Sequence, residues 1–264
     1  MSSSGHLRFI SALLLVSCAG QVHSQSTENP APKPNADPAQ AQAPAGPAIG
    51  QSADQSEREK RERAQEQLKA QERQRILGII PNFNTSLIPN AEPLSPSQKF
   101  HLAFKNTMDP FQFVASGIDA GLSQHSDDFA GYGQGAQGYA KRFAASYADA
   151  FNATMFGGAV FPVMLHQDPR YFRLGTGSFK KRLFYAISTT VRTKTDDKKW
   201  EPNYSNLLGN LAAGGISNLY YPSGSRGPGL TFERALVETA EGGIGTVFVE
   251  FWPDISHKLF HTPK

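Results

Sequence analysis

The sequence predicts a mainly α protein: a single helical domain with glycine-mediated helix packing, preceded by a disordered spacer. Three observations carry this expectation. Apolar residues between 76 and 253 recur at helical spacing, and the ten-residue alternating segments of a transmembrane β-barrel are absent. Helix-opening signals stand at Ser95-Pro96-Ser97-Gln98 and Asp109-Pro110-Phe111-Gln112, each with a capping side chain, proline at the first helical position and glutamine two residues further. Three glycine pairs, Gly157-Gly158, Gly214-Gly215 and Gly242-Gly243, lie inside apolar stretches of helical spacing.

Residues 1–24 have the layout of a secretory signal. The apolar stretch Phe9 to Val16 follows His6 and Arg8 and is far too short to span a bilayer. Cys18, the chain's single cysteine, closes the run Leu15-Val16-Ser17-Cys18, which has the form of a bacterial lipoprotein box. Cleavage before Cys18 would leave lipid on its thiol. Val22-His23-Ser24 offers an ordinary cleavage site after Ser24 instead, and both alternatives stay open. Either way no disulfide can form within the chain.

Residues 25–55 are rich in Pro, Ala and Gln and hold too little apolar surface to offset the entropy of ordering. Residues 56–75 are nearly all charge and Gln, with Glu57/Arg61 and Glu59/Arg63 at i,i+4. An exposed helix without a core-facing stripe is expected there. The domain proper runs 76–253, with a tail at 254–264.

Within the domain, helices are expected over 96–108 and 110–124. A third begins near Tyr139, where Ala140, Phe143, Ala144, Tyr147, Ala148 and Phe151 fill one half of the helical circle. Lys141, Arg142, Ser146, Asp149 and Asn152 fill the other. The apolar run from Met155 to Leu165 is expected to be buried, with Pro162 kinking or ending the helix. Further helices are expected at 179–192, with Leu183, Phe184, Ile187 and Val191 in register, at 206–221, and at 231–252, ending before Pro253. Glycine inside a helix costs about 1 kcal/mol against alanine, so the glycine pairs call for close helix crossings, self-association or membrane contact. No apolar run reaches the roughly 18 to 20 residues of a membrane span.

Motifs that carry chemistry are few. Gly133-Gln134-Gly135-Ala136-Gln137-Gly138 has the letters of a dinucleotide fingerprint but follows the polar turn 124–128 rather than an apolar strand. His125 and Asp128, with His166 and Asp168, are candidates for an acid/base or metal site if their turns converge. The simpler expectation for 166–171 is a turn capped by Asp168, with Arg170 and Tyr171 packed at the surface. His257 and His261 share i,i+4 spacing in the tail and lack an acidic neighbour. No GxSxG, HExxH or cysteine nucleophile supports catalysis, and no cofactor or resident metal is expected. Lys180, Lys181, Arg182, Arg192, Lys194, Lys198 and Lys199 flank one helix, while the whole chain carries only +3. Such a patch suits anionic lipid or polysaccharide, and no dominant basic face points to nucleic acid.

From Leu165-His166-Gln167-Asp168-Pro169-Arg170-Tyr171-Phe172 through Asn210-Leu211-Ala212-Ala213-Gly214-Gly215-Ile216-Ser217-Asn218, the chain resembles a group of exported acidobacterial proteins that carry no assigned activity. The resemblance covers roughly 76–252 and implies an envelope address without a transferable site. The expectation is thus an exported cell-envelope protein of structural or interaction type, in the periplasm or on the periplasmic face of a membrane, the outer membrane if Cys18 is lipidated; the alternatives are a metal-dependent envelope hydrolase built on His125, Asp128, His166 and Asp168, or a membrane-associating helical protein. Its partners would be an envelope protein, a second copy through the glycine-rich helices, or a membrane surface.

Overall fold

The computed structural model describes residues 49–76, 80–82 and 84–260. The signal peptide with Cys18, most of the spacer and His261 lie outside the described residues. The described residues are mainly helical, and those from Glu59 onward form one compact unit.

Helix α1 spans Ile49–Gln71, so it begins inside the stretch expected as spacer. The expectation of no core-facing stripe is also corrected: Ala64, Leu68 and Gln71 are buried, three to four residues apart. Leu68 joins Leu94 and Leu102 in one apolar cluster. Amides complete the attachment, with Gln71 Nε2 donating to Thr85 O at 3.1 Å and Gln67 Oε1 accepting from Glu92 N at 2.9 Å. One leucine and two glutamines thus replace the long apolar stripe that was sought.

Short strands pair across the loops. β1 (Arg75–Ile76) is antiparallel to β2 (Ile80–Pro81), and β3 (Thr85–Ser86) is parallel to β4 (Tyr171–Phe172). β5 (Arg192–Lys194) and β6 (Trp200–Pro202) form a hairpin, where a longer helix from 179 had been expected.

Helix α2 (Pro96–Thr107) opens with a complete capping box between Ser95 and Gln98. Helix α3 (Pro110–His125) is capped by Asp109, which accepts from Phe111 N at 2.9 Å. Helix α4 (Gly135–Met155) passes into a π-helical turn at Phe156–Val160 and then α5 (Phe161–Met164). The wide turn sits just before Pro162, whose missing N–H and bulky ring disturb an α-helical ladder, and the helix stops within one turn. Helices α6 (Phe179–Ser188) and α7 (Tyr204–Ser217) follow. Helix α8 (Pro228–Phe260) runs through Pro253 rather than ending before it, so residues 254–260 are helix rather than tail. Near Pro253, which withdraws the donor of the carbonyl four residues before it, Arg182 Nη2 and Arg173 Nε donate to the adjacent Glu250 O at 2.6 and 3.1 Å.

Helix α7 packs against α4, the π turn and α8, while α6 lies on α8 and α2 on α4. Glycine makes two of these crossings possible. A Cβ on Gly209 would lie 2.4 Å from Gly157 Cα, and one on Gly214 would lie 2.4 Å from Thr231 O. Gly215 and Gly242, by contrast, have nothing within 4 Å of that position.

The polarity of the helices reverses the expected arrangement. On α4 the buried positions are Gly138, Arg142, Ala145, Asp149 and Ala153, whereas Phe143, Tyr147 and Phe151 are only half-buried. On α6 Arg182 and Ala186 are buried, while Phe184 is 76% exposed and Ile187 also faces solvent. Helix α7 buries Ser205, Gly209, Asn210, Ala213, Gly214 and Ser217 and exposes Tyr204, Leu207 and Leu208. On α2 Lys99 and Thr107 join Leu102 and Ala103 inside while Phe100 and Phe104 lie outside, and on α3 Ser116 and Ser123 join Ala120 inside while Phe113 and Ile118 lie outside. Helical periodicity fixes which residues share a face, not which way that face points. Most of the inward groups are matched, Ser116 Oγ being an exception: Lys99 Nζ, for instance, donates to Pro162 O, Gln167 O and Asp196 Oδ1 at 3.2, 2.8 and 2.8 Å. Matching removes the cost that otherwise keeps polar groups outside.

Candidate functional site

The densest polar cluster lies among α3, α4, α8 and the turn after α7. Its centre is Asp149, buried midway along α4. Asp149 Oδ1 accepts from Ser217 Oγ and Tyr220 OH, each at 2.5 Å, and Oδ2 accepts from Tyr221 OH at 2.6 Å. Arg234 of α8 donates through Nη1 to Tyr221 OH at 3.0 Å and brings Nε to 3.6 Å from Asp149 Oδ2. The tyrosines reach the carboxylate because α7 ends at Ser217 and the chain turns immediately, aiming Tyr220 and Tyr221 back at α4. Phe129 and Tyr132 close this end, with ring centroids 4.7 and 5.8 Å from that of Tyr221.

Phe129 holds a left-handed backbone, φ +55°, an uncommon state for a bulky residue. Arg142, buried on α4, fixes it by donating to Asp128 O at 3.1 and 2.8 Å and to Gly133 O at 2.5 Å. The glycine motif belongs to this clamp. Gly133 and Gly135 have positive φ, and a Cβ on Gly138 would lie 2.2 Å from Gly133 O. The motif therefore lets a loop close on a helix start, and no apolar strand precedes it.

Around Arg234 stand four carboxyls, Asp119, Asp149, Glu238 and Glu241. Burial, followed by repulsion from Glu241, Asp149 and Asp119, pushes Glu238 up to about 8 against the opposing pull of Arg234. Glu238 is therefore largely protonated at neutral pH. Asp119 is raised by burial, which outweighs Ser146 and Arg234. Glu241 keeps solvent contact, yet the protein around it displaces enough water to raise its carboxyl too, with Asp119 and Asp149 adding repulsion. Burial raises Tyr132 to about 12 and pushes Tyr220 and Tyr221 higher still, so all three remain hydroxyl donors. Chemically the cluster can hold a proton on Glu238 beside Asp149 and Arg234. Asp149 itself is enclosed by its own donors.

A second network occupies the segment singled out in the sequence. Gln167, fully buried, accepts at Oε1 from Ser205 N and Oγ at 2.8 and 2.7 Å and donates through Nε2 to Glu201 Oε1 and Pro202 O at 2.5 and 2.8 Å. Asp168 pairs with Arg170, whose Nη2 lies 2.6 Å from Asp168 Oδ2 and 2.7 Å from Glu92 O. Tyr171 OH donates to Glu250 Oε2 at 2.7 Å. These side chains are buried rather than packed at the surface as expected, and they tie α1, β4, α7 and α8 into the unit.

The four candidate residues are not assembled into a metal centre. His125 is exposed at the end of α3, Asp128 offers its backbone carbonyl to Arg142, His166 is exposed with φ +54°, and Asp168 is committed to Arg170. Among the described residues no three His, Cys, Asp or Glu side chains are placed to hold a metal ion. His257 is exposed on the last turns of α8.

Sequence inspection missed the Asp149 cluster, although a signal was present. Arg234, Glu238 and Glu241 follow i, i+4, i+7 spacing and so form one charged stripe on α8. Comparison with protein-family models, with curated proteins and with solved structures returns no match.

Proposed function

We propose that this chain is a non-catalytic protein of the bacterial cell envelope that works by association, its helical domain seated in the interfacial layer of a lipid membrane. One observation carries the reading: α2, α3, α6, α7 and α8 turn large apolar side chains outward, while charged and polar side chains share the interior with leucine, alanine and tyrosine. Contiguous apolar faces of this kind are uncommon on monomers in water and mark surfaces that are covered in the working state. Five helices with the same polarity ask for a broad apolar medium more readily than for one partner groove. No helix among the described residues is long and apolar enough to cross a membrane, so the domain would lie in the surface layer rather than span it.

Self-association is the second reading. It is favoured by Gly215 and Gly242, helical glycines with open space where their own chain could pack, at which a second helix backbone can approach closely. A metal-dependent hydrolase finds no support in the geometry, since Asp168 is spent on Arg170 and His125 and His166 are solvent-facing.

The test uses the full chain carrying Cys18→Ser, so that no lipid anchor contributes. Vesicle flotation and light-scattering mass are measured together. Co-flotation supports the membrane reading, and a stable dimer that stays out of the vesicles supports the second. A monomer that ignores lipid overturns both. Intact mass of the native protein, compared with the Cys18→Ser form, separately tests whether Cys18 carries lipid.

A further inference from the structure

The geometry points to α6, together with the β5–β6 hairpin, as the face that docks on a bilayer, and to anionic phospholipid as the lipid it selects. This inference rests on the membrane reading above and adds which surface and which headgroup.

Helix α6 turns Arg182 and Ala186 inward. At about 100° per residue, the opposite direction falls on Phe184, with Lys180 and Ile187 to one side and Lys181 to the other, all within about 60° of it. Phe184 and Ile187 are 76% and 51% exposed, and Val191, just past the helix, is 67% exposed. Lys180 and Lys181 are exposed and make no ion pair with any described residue. The hairpin extends this surface. Trp200 is exposed and packs edge-on against Tyr185 of α6, with ring centroids 6.0 Å apart. Lys199 beside it is exposed and unpaired, and of the turn's two acids Asp196 is committed to Lys99. Positive charge is therefore in excess around an apolar apex.

That combination suits one environment. Phenylalanine and isoleucine can enter the acyl boundary while the lysine stems run along them and leave their ammonium groups at phosphate level. Tryptophan is at home in the same layer. A protein partner of the hydrophobic kind would instead bury the unpaired lysines, which protein interfaces disfavour at their centres. Other outward faces lack the charge: on α2, Lys105 and His101 are both tied to Glu72, at 2.7 and 2.8 Å.

The test compares the full-length Cys18→Ser chain with versions that add Lys180→Gln and Lys181→Gln, or Phe184→Ser. Binding is measured to phosphatidylglycerol-containing and to pure phosphatidylcholine vesicles at two salt concentrations. The expected result is preference for the anionic vesicles, weakened by salt, with roughly 30-fold weaker partition in the double glutamine form. Phe184→Ser should weaken binding to both vesicle types. Circular dichroism checks that these exposed substitutions leave the fold intact. Equal binding to both lipids, or unchanged binding by the double glutamine form, overturns this inference and leaves the membrane reading standing. Failure to bind either vesicle overturns both.

Discussion

Glu250 and Glu238 lie three turns apart on α8 and titrate in opposite directions, and their contrast shows how single residues hold an inverted interior. Burial by itself would raise Glu250, but donors from Arg182, Tyr171, Gly175 N and Leu174 N outweigh it and hold the carboxyl below its ordinary 4.5. Its stabilising contribution is therefore complete above pH 4.5 and is lost as pH falls through the lower folded value. Glu250→Gln leaves the half-exposed Asp254 to balance the buried Arg182 and should cost about 3 kcal/mol in urea unfolding at pH 7. The variant should also lose the extra acid sensitivity of the wild type. Glu238 is the reverse case. Raised to about 8, it favours the folded state fully below pH 4.5, and that contribution fades as pH rises through 8. Glu238→Gln, which stays neutral, should therefore gain melting temperature relative to wild type as pH is raised from 5 to 8.5. A difference that stays flat across that range would refute the assignment.

At the level of elements, helix position and helix orientation have separate causes. Ser95 and Asp109 place α2 and α3 within a residue of where their capping signals predict, because a cap is a local bond between neighbours in sequence. The glycine crossings are only half local. Gly214 was in view as one of a pair, but Gly209, the closest approach to Gly157, was not, since a single glycine in a helix carries no mark of what crosses it. Gly209→Ala should clash with backbone that cannot yield cheaply and destabilise the fold by about 1 to 3 kcal/mol or more. Gly215→Ala meets open space and should stabilise it by up to about 1 kcal/mol. Thermal unfolding of the two variants separates them, and equal effects would remove the case for a glycine-set crossing. Helix α6 ends four residues earlier than its apolar spacing implies because Arg192–Lys194 find partners in Trp200–Pro202, a pairing that forms only when the two segments fold back on each other.

For the molecule as a whole, outward apolar faces and an inward polar network make one prediction. A non-ionic detergent above its micelle concentration should raise the melting temperature of the Cys18→Ser chain, because whatever binds the folded surface preferentially stabilises it. A fall in melting temperature would count against a surface built for lipid. Read from sequence, the chain declares its helices, its caps, its proline-disturbed apolar run and its charged first helix, since each is encoded within a turn or two by spacing, capping bonds and missing donors. Even the split of α4 into Phe143-Tyr147-Phe151 and Arg142-Asp149 halves is plain. Only the tertiary structure decided that the second half faces in. That choice depends on Tyr220, Tyr221 and Arg234 arriving from 71 or more positions away to satisfy Asp149, and on Asp128 and Gly133 carbonyls meeting Arg142. Periodicity sorts residues into faces, and the partners that make a polar face affordable to bury belong to other elements.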